Sequence, residues 1–252
     1  MRNLGNTCFA AAVIWALKPC KSVNAVVSVE KTQIHKMLKA LFDNPKDHKT
    51  WTMMSREIDS LINRKGREPH DSHETLCAII DKLGGPFEKL FTINFQNTVK
   101  CTKCNKSDIK TETNVYVACE PIINGNKNSS SLAAGIANTH APKNVRSREC
   151  DHCKKTADGV MRCVPKTPSP TVLVVRTAQT RLWAEHTLGY CGSKYKLKSV
   201  IIYLHGCHYA TLVFTGKQWI LCDDDTIRNV SVTMIQGASE IIHPSSIIYE
   251  KM

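Results

Sequence analysis

Three sets of side chains that together could drive a thiol nucleophile lie far apart in this chain: Cys8, His208 and the acidic run Asp223-Asp224-Asp225. Cys8 opens an apolar stretch, Phe9 to Leu17, with Asn6-Thr7 before it as a capping signal. Partial positive charge at a helix N-terminus favours thiolate over thiol, so this position predicts a lowered cysteine pKa. Taken alone, a cysteine that begins an apolar helix is more often a small buried residue. The rear of the chain shifts that balance. Tyr209–Phe214 and Gln218–Cys222 flank Thr215-Gly216-Lys217 and read as a β-hairpin. With Thr215-Gly216 as a two-residue loop, Phe214 pairs with Lys217, and His208 falls opposite Asp223 with Cβ atoms roughly 5 Å apart. A longer loop slides the register toward Asp224, so spacing leaves both carboxylates open. A cysteine, a histidine base and an orienting carboxylate are the parts of a thiol hydrolase.

A second constellation is metal-like. Cys101-Thr102-Lys103-Cys104 and Cys150-Asp151-His152-Cys153 are two Cys-x-x-Cys knuckles with 45 residues between them. Four thiolates in this arrangement suit a closed tetrahedral zinc, with no open position for catalysis. The alternatives are fortuitous pairs, redox pairs, or ligand exchange with His152, Cys119 or Cys163. No thioredoxin-like context surrounds either pair. Besides Cys8, the other cysteines (Cys20, Cys77, Cys119, Cys163, Cys191, Cys207 and Cys222) form no pattern and read as core filling. Such dispersal favours a reducing, intracellular compartment over a disulfide framework.

These groups sit in 252 residues, 42% of them apolar, enough for one large domain or two small ones. The longest apolar run, Phe9 to Leu17, is too short to span a membrane and lacks the flanks of a signal peptide. With 34 basic against 22 acidic residues the net charge is +12. That charge admits nucleic acid, an acidic partner or anionic lipid, yet no aromatic–basic interleaving or nucleic-acid motif accompanies it. A soluble protein with a basic face is the plainer reading.

Positioning the two constellations requires a helical front and a β-rich rear. Phe9, Val13 and Leu17 recur at helical spacing, as do Ile34, Met37, Leu38 and Leu41 before Asn44-Pro45. Ile58, Leu61 and Ile62 predict a helix ending near Gly66, and His73 to Leu83 another, stopped by Gly84-Gly85-Pro86. Phe91–Phe95 and Thr113–Val117 alternate as strands do. Residues 124–131 form a polar tract that reads as a loop. Strand candidates follow at Val172–Val175, Val200–Leu204, Tyr209–Phe214, Trp219–Cys222 and Ile247–Tyr249. The plan is a helical part at 1–95, a cysteine-bearing insert at about 96–163 and a β-rich part at 164–252.

Asn3 through Phe9 resembles the cysteine box of the ubiquitin-specific proteases, a family of deubiquitinating enzymes. Gly206-Cys207-His208-Tyr209 and Trp219 through Asp225 resemble its histidine box. His70-Asp71-Ser72-His73-Glu74-Thr75-Leu76 is similar to the family's Gln-Asp-Ala-His-Glu-Phe-Leu motif, and Ile247 through Lys251 to its closing strand. The likeness spans the chain in order. It implies an α+β, papain-like cysteine protease fold with a helical thumb (1–95), zinc-ribbon fingers (96–163) and a β-rich palm (164–252). By the same resemblance Cys8 is the nucleophile, His208 its general base and then acid, and Asp223 the residue that orients His208. Asn3 and the Cys8 N–H would stabilise the oxyanion, with Asp224 supporting that site. Asp71 and Glu74 would receive the arginine-bearing tail of ubiquitin, beside Tyr209 on the substrate side, and charge-assisted bonds to guanidinium suit that role. Without the family context, both acids read more simply as a solvated helix start. Cys101, Cys104, Cys150 and Cys153 would hold structural zinc in the fingers.

The chain also departs from the family pattern. Ala11 and Trp15 stand where an Asn and a Gln are usual, His70 replaces a Gln, Thr75 an aromatic, and Cys207 a glycine. The run from Tyr195 to His208 is short, leaving little of the loop that usually covers the ubiquitin tail. These changes bear on affinity and on ubiquitin against a related ubiquitin-like modifier. Two other readings remain: a catalytically silent module that binds ubiquitin or a ubiquitin-like partner, and a zinc-containing basic protein that binds nucleic acid.

Overall fold

Residues Cys8–Leu17 form helix α1, and every one of its ten residues is buried. Rich in alanine and free of Gly and Pro, the segment has a strong intrinsic helix preference, and Pro19 follows soon after its end. A helix that is apolar all round must be covered all round, and the remaining elements supply the cover. The computed structural model describes the chain except residues 121–122, 125–126, 129–130, 178–183, 205–206 and 232–242.

One side of α1 is covered by helices: α2 (Lys21–Val29), α3 (Gln33–Asp43), α4 (His48–Leu61), α5 (Ser72–Leu83) and α6 (Gly85–Lys89). Thr32, Asp47 and Asp71 cap α3, α4 and α5 through their side-chain oxygens. Each such cap is worth about 1 kcal/mol. Helix α1 differs. Thr7 stands at its cap position, but the hydroxyl turns back to accept the Leu4 N–H at 3.0 Å, so the capping expected from Asn6-Thr7 is not made. α4 starts well before the Ile58-Leu61-Ile62 pattern indicates, because Asp47 opens it and Trp51 and Met54 extend its buried face. α2 has no counterpart in the periodicity reading. Its sequence is rich in valine, a weak helix former, and burial of Val23 and Val27 holds it in place.

The other side of α1 is covered by a sheet. The strands in chain order are β1 (Ile93–Cys101), β2 (Ser107–Asn114), β3 (Val117–Cys119), β4 (Ile123–Asn124), β5 (Lys127–Asn128), β6 (Lys143–Glu149) and β7 (Thr156–Pro165). After them come β8 (Val172–Thr177), β9 (Thr187–Tyr190), β10 (Ser193–Leu204), β11 (His208–Phe214), β12 (Trp219–Asp223), β13 (Thr226–Val230) and β14 (His243–Lys251). The larger sheet runs β13-β12-β11-β10-β14-β8-β3, with β9 beside β10, and the smaller runs β2-β1-β7-β6. Helix α7 (Leu132–Thr139) packs on β3, so the insert expected at about 96–163 contributes to both sheets. β4 and β5 form a two-residue ladder inside the polar tract at 124–131, the rest of which is partly outside the described residues.

Both faces of the larger sheet are buried at its centre: Val172 and Val174 join the core around α1, and Leu173 and Val175 a second core on the far face. No single described helix is long and apolar enough to cross a membrane. Two buried hydroxyls dock α1 on the sheet. Thr211 Oγ1 on β11 donates to the Ala12 carbonyl, and Ser199 Oγ on β10 to the Ala16 carbonyl, each at 2.7 Å. Thr211→Val deletes one of these bonds while keeping the branched shape. The expected loss is about 1 kcal/mol, read as a lower urea midpoint at an unchanged m-value.

Candidate active site

Cys8 sits in the first turn of α1 and is 5% exposed. Its Sγ lies 3.9 Å from the Cys207 carbonyl oxygen, so the sulfur rests against the peptide group that enters His208. The helix-start argument predicts a lowered thiol pKa, and the structure reverses it. Burial pushes the Cys8 thiol up. The N–H groups of Tyr209, Phe9 and Cys8 itself pull it down, and Asp224 adds a further upward push. Desolvation of the thiolate outweighs the helix terminus.

His208 opens β11, and its Nε2 meets Asp223 Oδ1 at 2.6 Å. The hairpin that carries the pair is not the one expected. Phe214 pairs with Trp219, and Thr215–Gln218 form a four-residue turn closed by the Thr215 N–H on the Gln218 carbonyl at 3.1 Å. One step beyond Thr211↔Cys222, Asp223 therefore stands against Ala210 rather than His208. The slip is two residues, and an even slip keeps every side chain on its face. His208 and Asp223 become diagonal neighbours, a span that long side chains cross. Gly206 of the same motif lies outside the described residues.

Asp224 takes the first place of the turn between β12 and β13, with φ 50°. Its Oδ2 accepts the Asn3 Nδ2–H at 3.0 Å, while Asn3 Oδ1 accepts the N–H groups of Gly5 at 3.0 Å and Thr7 at 3.3 Å. The Asn3 carboxamide is thus fixed at both ends, with one Nδ2 proton left over. Asp224 Oδ1 is buried with no partner among the described residues, and burial holds the carboxyl pKa above the ordinary value of 3.8, against the pull of Asn3 and His208. Ligand atoms of His208, Asp223 and Asp224 lie within 4.8 Å of one another. Trp15, which spacing marked only as a departure, donates its indole N–H to the Asp224 carbonyl at 3.1 Å.

Asp71 and Glu74 lie at the start of α5. Asp71 Oδ1 is occupied in capping, accepting the N–H of His73 at 2.6 Å and of Glu74 at 3.1 Å. Glu74 is exposed and meets His70 Nε2 at 3.4 Å, while the His70 ring packs edge-on against Phe9 at 5.6 Å. Tyr209 is 6% exposed, and its phenol faces Ser72. Burial, then the nearby Asp71 charge, push its pKa up to about 12, so it stays neutral. A cleft of about 360 Å³ opens beside Asp71, with Arg176 in its wall. Sequence reading passed over Arg176, although one charge in the apolar run Val172–Thr177 was a usable signal.

The cysteine pairs meet at the far tip of the smaller sheet. Cys101–Cys104 turn between β1 and β2, and Cys150–Cys153 between β6 and β7. The two knuckles are copies. Asn105 and Lys154, with φ 58° and 56°, each donate an N–H to the carbonyl of the first cysteine, at 3.0 and 2.8 Å. All four sulfurs lie within 4.8 Å of one another, and Cys104 and Cys150 are 3.7 Å apart. A tetrahedral ion with about 2.3 Å metal–sulfur bonds separates its sulfurs by about 3.8 Å, so the four could hold a metal ion. His152 is engaged by Asp108 at 3.0 Å, and Cys119 and Cys163 belong to the core beyond the larger sheet. All twelve cysteines are free thiols.

The profile of the family described as ubiquitin carboxyl-terminal hydrolase matches residues 1–249. No curated protein matches the chain. Among solved structures, it is similar to the SAGA DUB module Ubp8/Sgf11/Sus1/Sgf73 bound to monoubiquitin. The TM-score is 0.79 at 14% identity, over 100% of this chain and 68% of that one. The same module bound to ubiquitin aldehyde gives a TM-score of 0.77 at 14% identity, over 100% and 69%. The likeness shows the α+β fold expected from the resemblance.

Because the folded Asp224 carboxyl is displaced upward, its ionisation opposes folding. The penalty is absent below pH 3.8, grows as pH rises through the raised value, and is full at neutrality. Asp224→Asn is expected to melt higher than wild type at pH 7, with the difference shrinking as pH falls toward 3.8, in thermal melts across that range.

Proposed function

Since the family match runs almost end to end, the chain belongs to the ubiquitin carboxyl-terminal hydrolase family, and we propose that it is a deubiquitinase acting through Cys8, His208 and Asp223. The single observation that carries the reading is the meeting of Cys8 Sγ with the Cys207 carbonyl that leads into His208, while His208 Nε2 is held by Asp223 at 2.6 Å. With Nε2 engaged, Nδ1 is the nitrogen free to take a proton. A thiol whose pKa is pushed up by burial stays protonated at rest, so it needs that base at the moment of attack.

In this reading ubiquitin lies with its C-terminal glycine carbonyl over Cys8. His208 takes the thiol proton as sulfur attacks, and the oxyanion forms against the Cys8 N–H and the spare Nδ2 proton of Asn3. His208 then protonates the departing amine, and a water activated by the same ring releases the thioester. Asp223 holds the ring throughout. Glu74, exposed on α5, and the free oxygen of Asp71 supply negative charge for the arginine-bearing tail of ubiquitin. Tyr209 follows His208 in the chain and feels the charge of Asp71.

Cys101, Cys104, Cys150 and Cys153 would hold a structural zinc ion that clamps the two hairpin tips. The need is physical: the buried core at that end consists of Cys101, Cys150 and Ala157 alone among the described residues. Without the ion, too little apolar surface is buried there to order the tips.

Two experiments test these readings. Ubiquitin carrying a C-terminal electrophile is expected to form an adduct with the reduced, folded protein and none with Cys8→Ala. A folded wild-type protein that binds the probe without forming the adduct would leave only the binding-module reading. Elemental analysis is expected to find one zinc per chain. Cys150→Ser should lose the metal and melt several degrees lower, whereas full occupancy in that variant would refute the four-cysteine site.

A further inference from the structure

Helix α1 touches the site at both ends. Cys8 opens it, and Trp15 follows seven residues later, about 10 Å along the axis and on the same side. Trp15 is 5% exposed, and its indole Nε1–H donates to the Asp224 carbonyl at 3.1 Å. The Met1 amino group donates to the same oxygen at 3.1 Å. The ring borders an apolar cleft of about 270 Å³, shared with Lys18, Pro19, Val213, Ile220 and Cys222, and the Lys18 ammonium lies over it, 5.5 Å from the ring centroid.

Asp224 needs an anchor. Its φ of 50° lies where residues with a side chain are uncommon. Its carboxylate keeps Oδ1 enclosed without a partner among the described residues, next to the second charge of Asp223. Two neighbouring groups hold the backbone of this turn at the Asp224 carbonyl, the Trp15 indole N–H and the Met1 amino group. Relaxation of the turn would take Oδ2 away from Asn3 Nδ2, its partner at 3.0 Å, and leave the carboxamide held at its Oδ1 end alone, with its Nδ2 end no longer aimed.

We propose that Trp15 is a positioning residue for the oxyanion site: its indole N–H pins the Asp224 carbonyl, and Asp224 in turn aims the Asn3 carboxamide at the carbonyl attacked by Cys8. The inference rests on the hydrolytic reading above. It assigns a role to a side chain that departs from the family pattern, where a Gln is usual. A glutamine side chain also carries an N–H donor, so Trp15→Gln can separate the donor from the ring.

The test compares Trp15→Phe, which keeps an aromatic ring and removes the donor, with Trp15→Gln, which keeps a donor and removes the ring. The substrate is ubiquitin with a fluorogenic C-terminal amide. Trp15→Phe is expected to lower kcat about tenfold with KM within about twofold, less than the 10²–10³ of losing an oxyanion donor outright. Affinity for ubiquitin aldehyde, whose adduct carries the tetrahedral oxygen, should weaken by the same factor, while affinity for free ubiquitin holds. Trp15→Gln should recover most of the loss. In an Asn3→Ala background, Trp15→Phe should change kcat by less than about twofold, because the two residues act in series. Wild-type kcat and aldehyde affinity in Trp15→Phe would overturn the proposal, as would parallel losses in kcat and free-ubiquitin affinity. If Trp15→Phe does not fold, Trp15→Gln against Trp15→Met gives the same contrast of donor and no donor. Absence of any Cys8 adduct in the wild type would instead remove the hydrolytic reading, and this proposal with it.

Discussion

Helix α1 has no polar side, so it can exist in water only when enclosed, and the enclosure decides where everything else goes. Helices close over one flank and the eight-stranded sheet over the other, with all ten residues of α1 buried. Its start is the end with unsatisfied N–H groups, and there Cys8 meets the first residues of β11. Burial and chemistry pull in opposite directions at this point. The enclosure that fixes the sulfur beside His208 also desolvates it and raises its pKa. A buried thiol whose pKa is raised differs from an exposed thiolate: burial favours its neutral form.

A single turn joins the other two parts of the machinery. Along a strand, Asp223 and Asp224 would point to opposite faces. The left-handed backbone at Asp224 breaks that alternation, and both acids converge on His208. Asp223 steadies the ring, while Asp224 steadies Asn3, which lies 221 positions away in the chain. An enclosed carboxylate oxygen and an uncommon φ are costs that a turn chosen for stability would avoid.

The smaller sheet stands apart from this chemistry. Its strands are largely exposed, and its tip packs on cysteines instead of apolar side chains. Two knuckles with the same backbone turn, each closed by a left-handed residue after the second cysteine, bring four sulfurs close enough to hold a metal ion. These strands and loops carry basic side chains, among them Lys100, Lys106, Lys110, Arg146 and Arg162. There they meet solvent.

The chemistry-bearing residues were legible because their signals are local. A cysteine at the mouth of an apolar helix, a histidine and acids on adjoining strands, and two Cys-x-x-Cys pairs are visible without coordinates. So were α3, α5 and most strands of the larger sheet, whose buried faces follow simple periods. The helix α2, the start of α4 and helix α7 were not, since weak helix formers, polar side chains or a short length are overridden by packing and capping. The hairpin register was misjudged by two residues, and the His208–Asp223 pairing survived because an even slip preserves the face. Only the folded molecule could reveal the rest: that burial outweighs the helix terminus at Cys8, that the Thr7 hydroxyl does not cap α1, and that the Trp15 indole donates to the Asp224 carbonyl. Sequence determines which groups are present and which faces they share. Desolvation, and hydrogen bonds between residues two hundred positions apart, depend on how the lobes meet, and tertiary structure alone decides that.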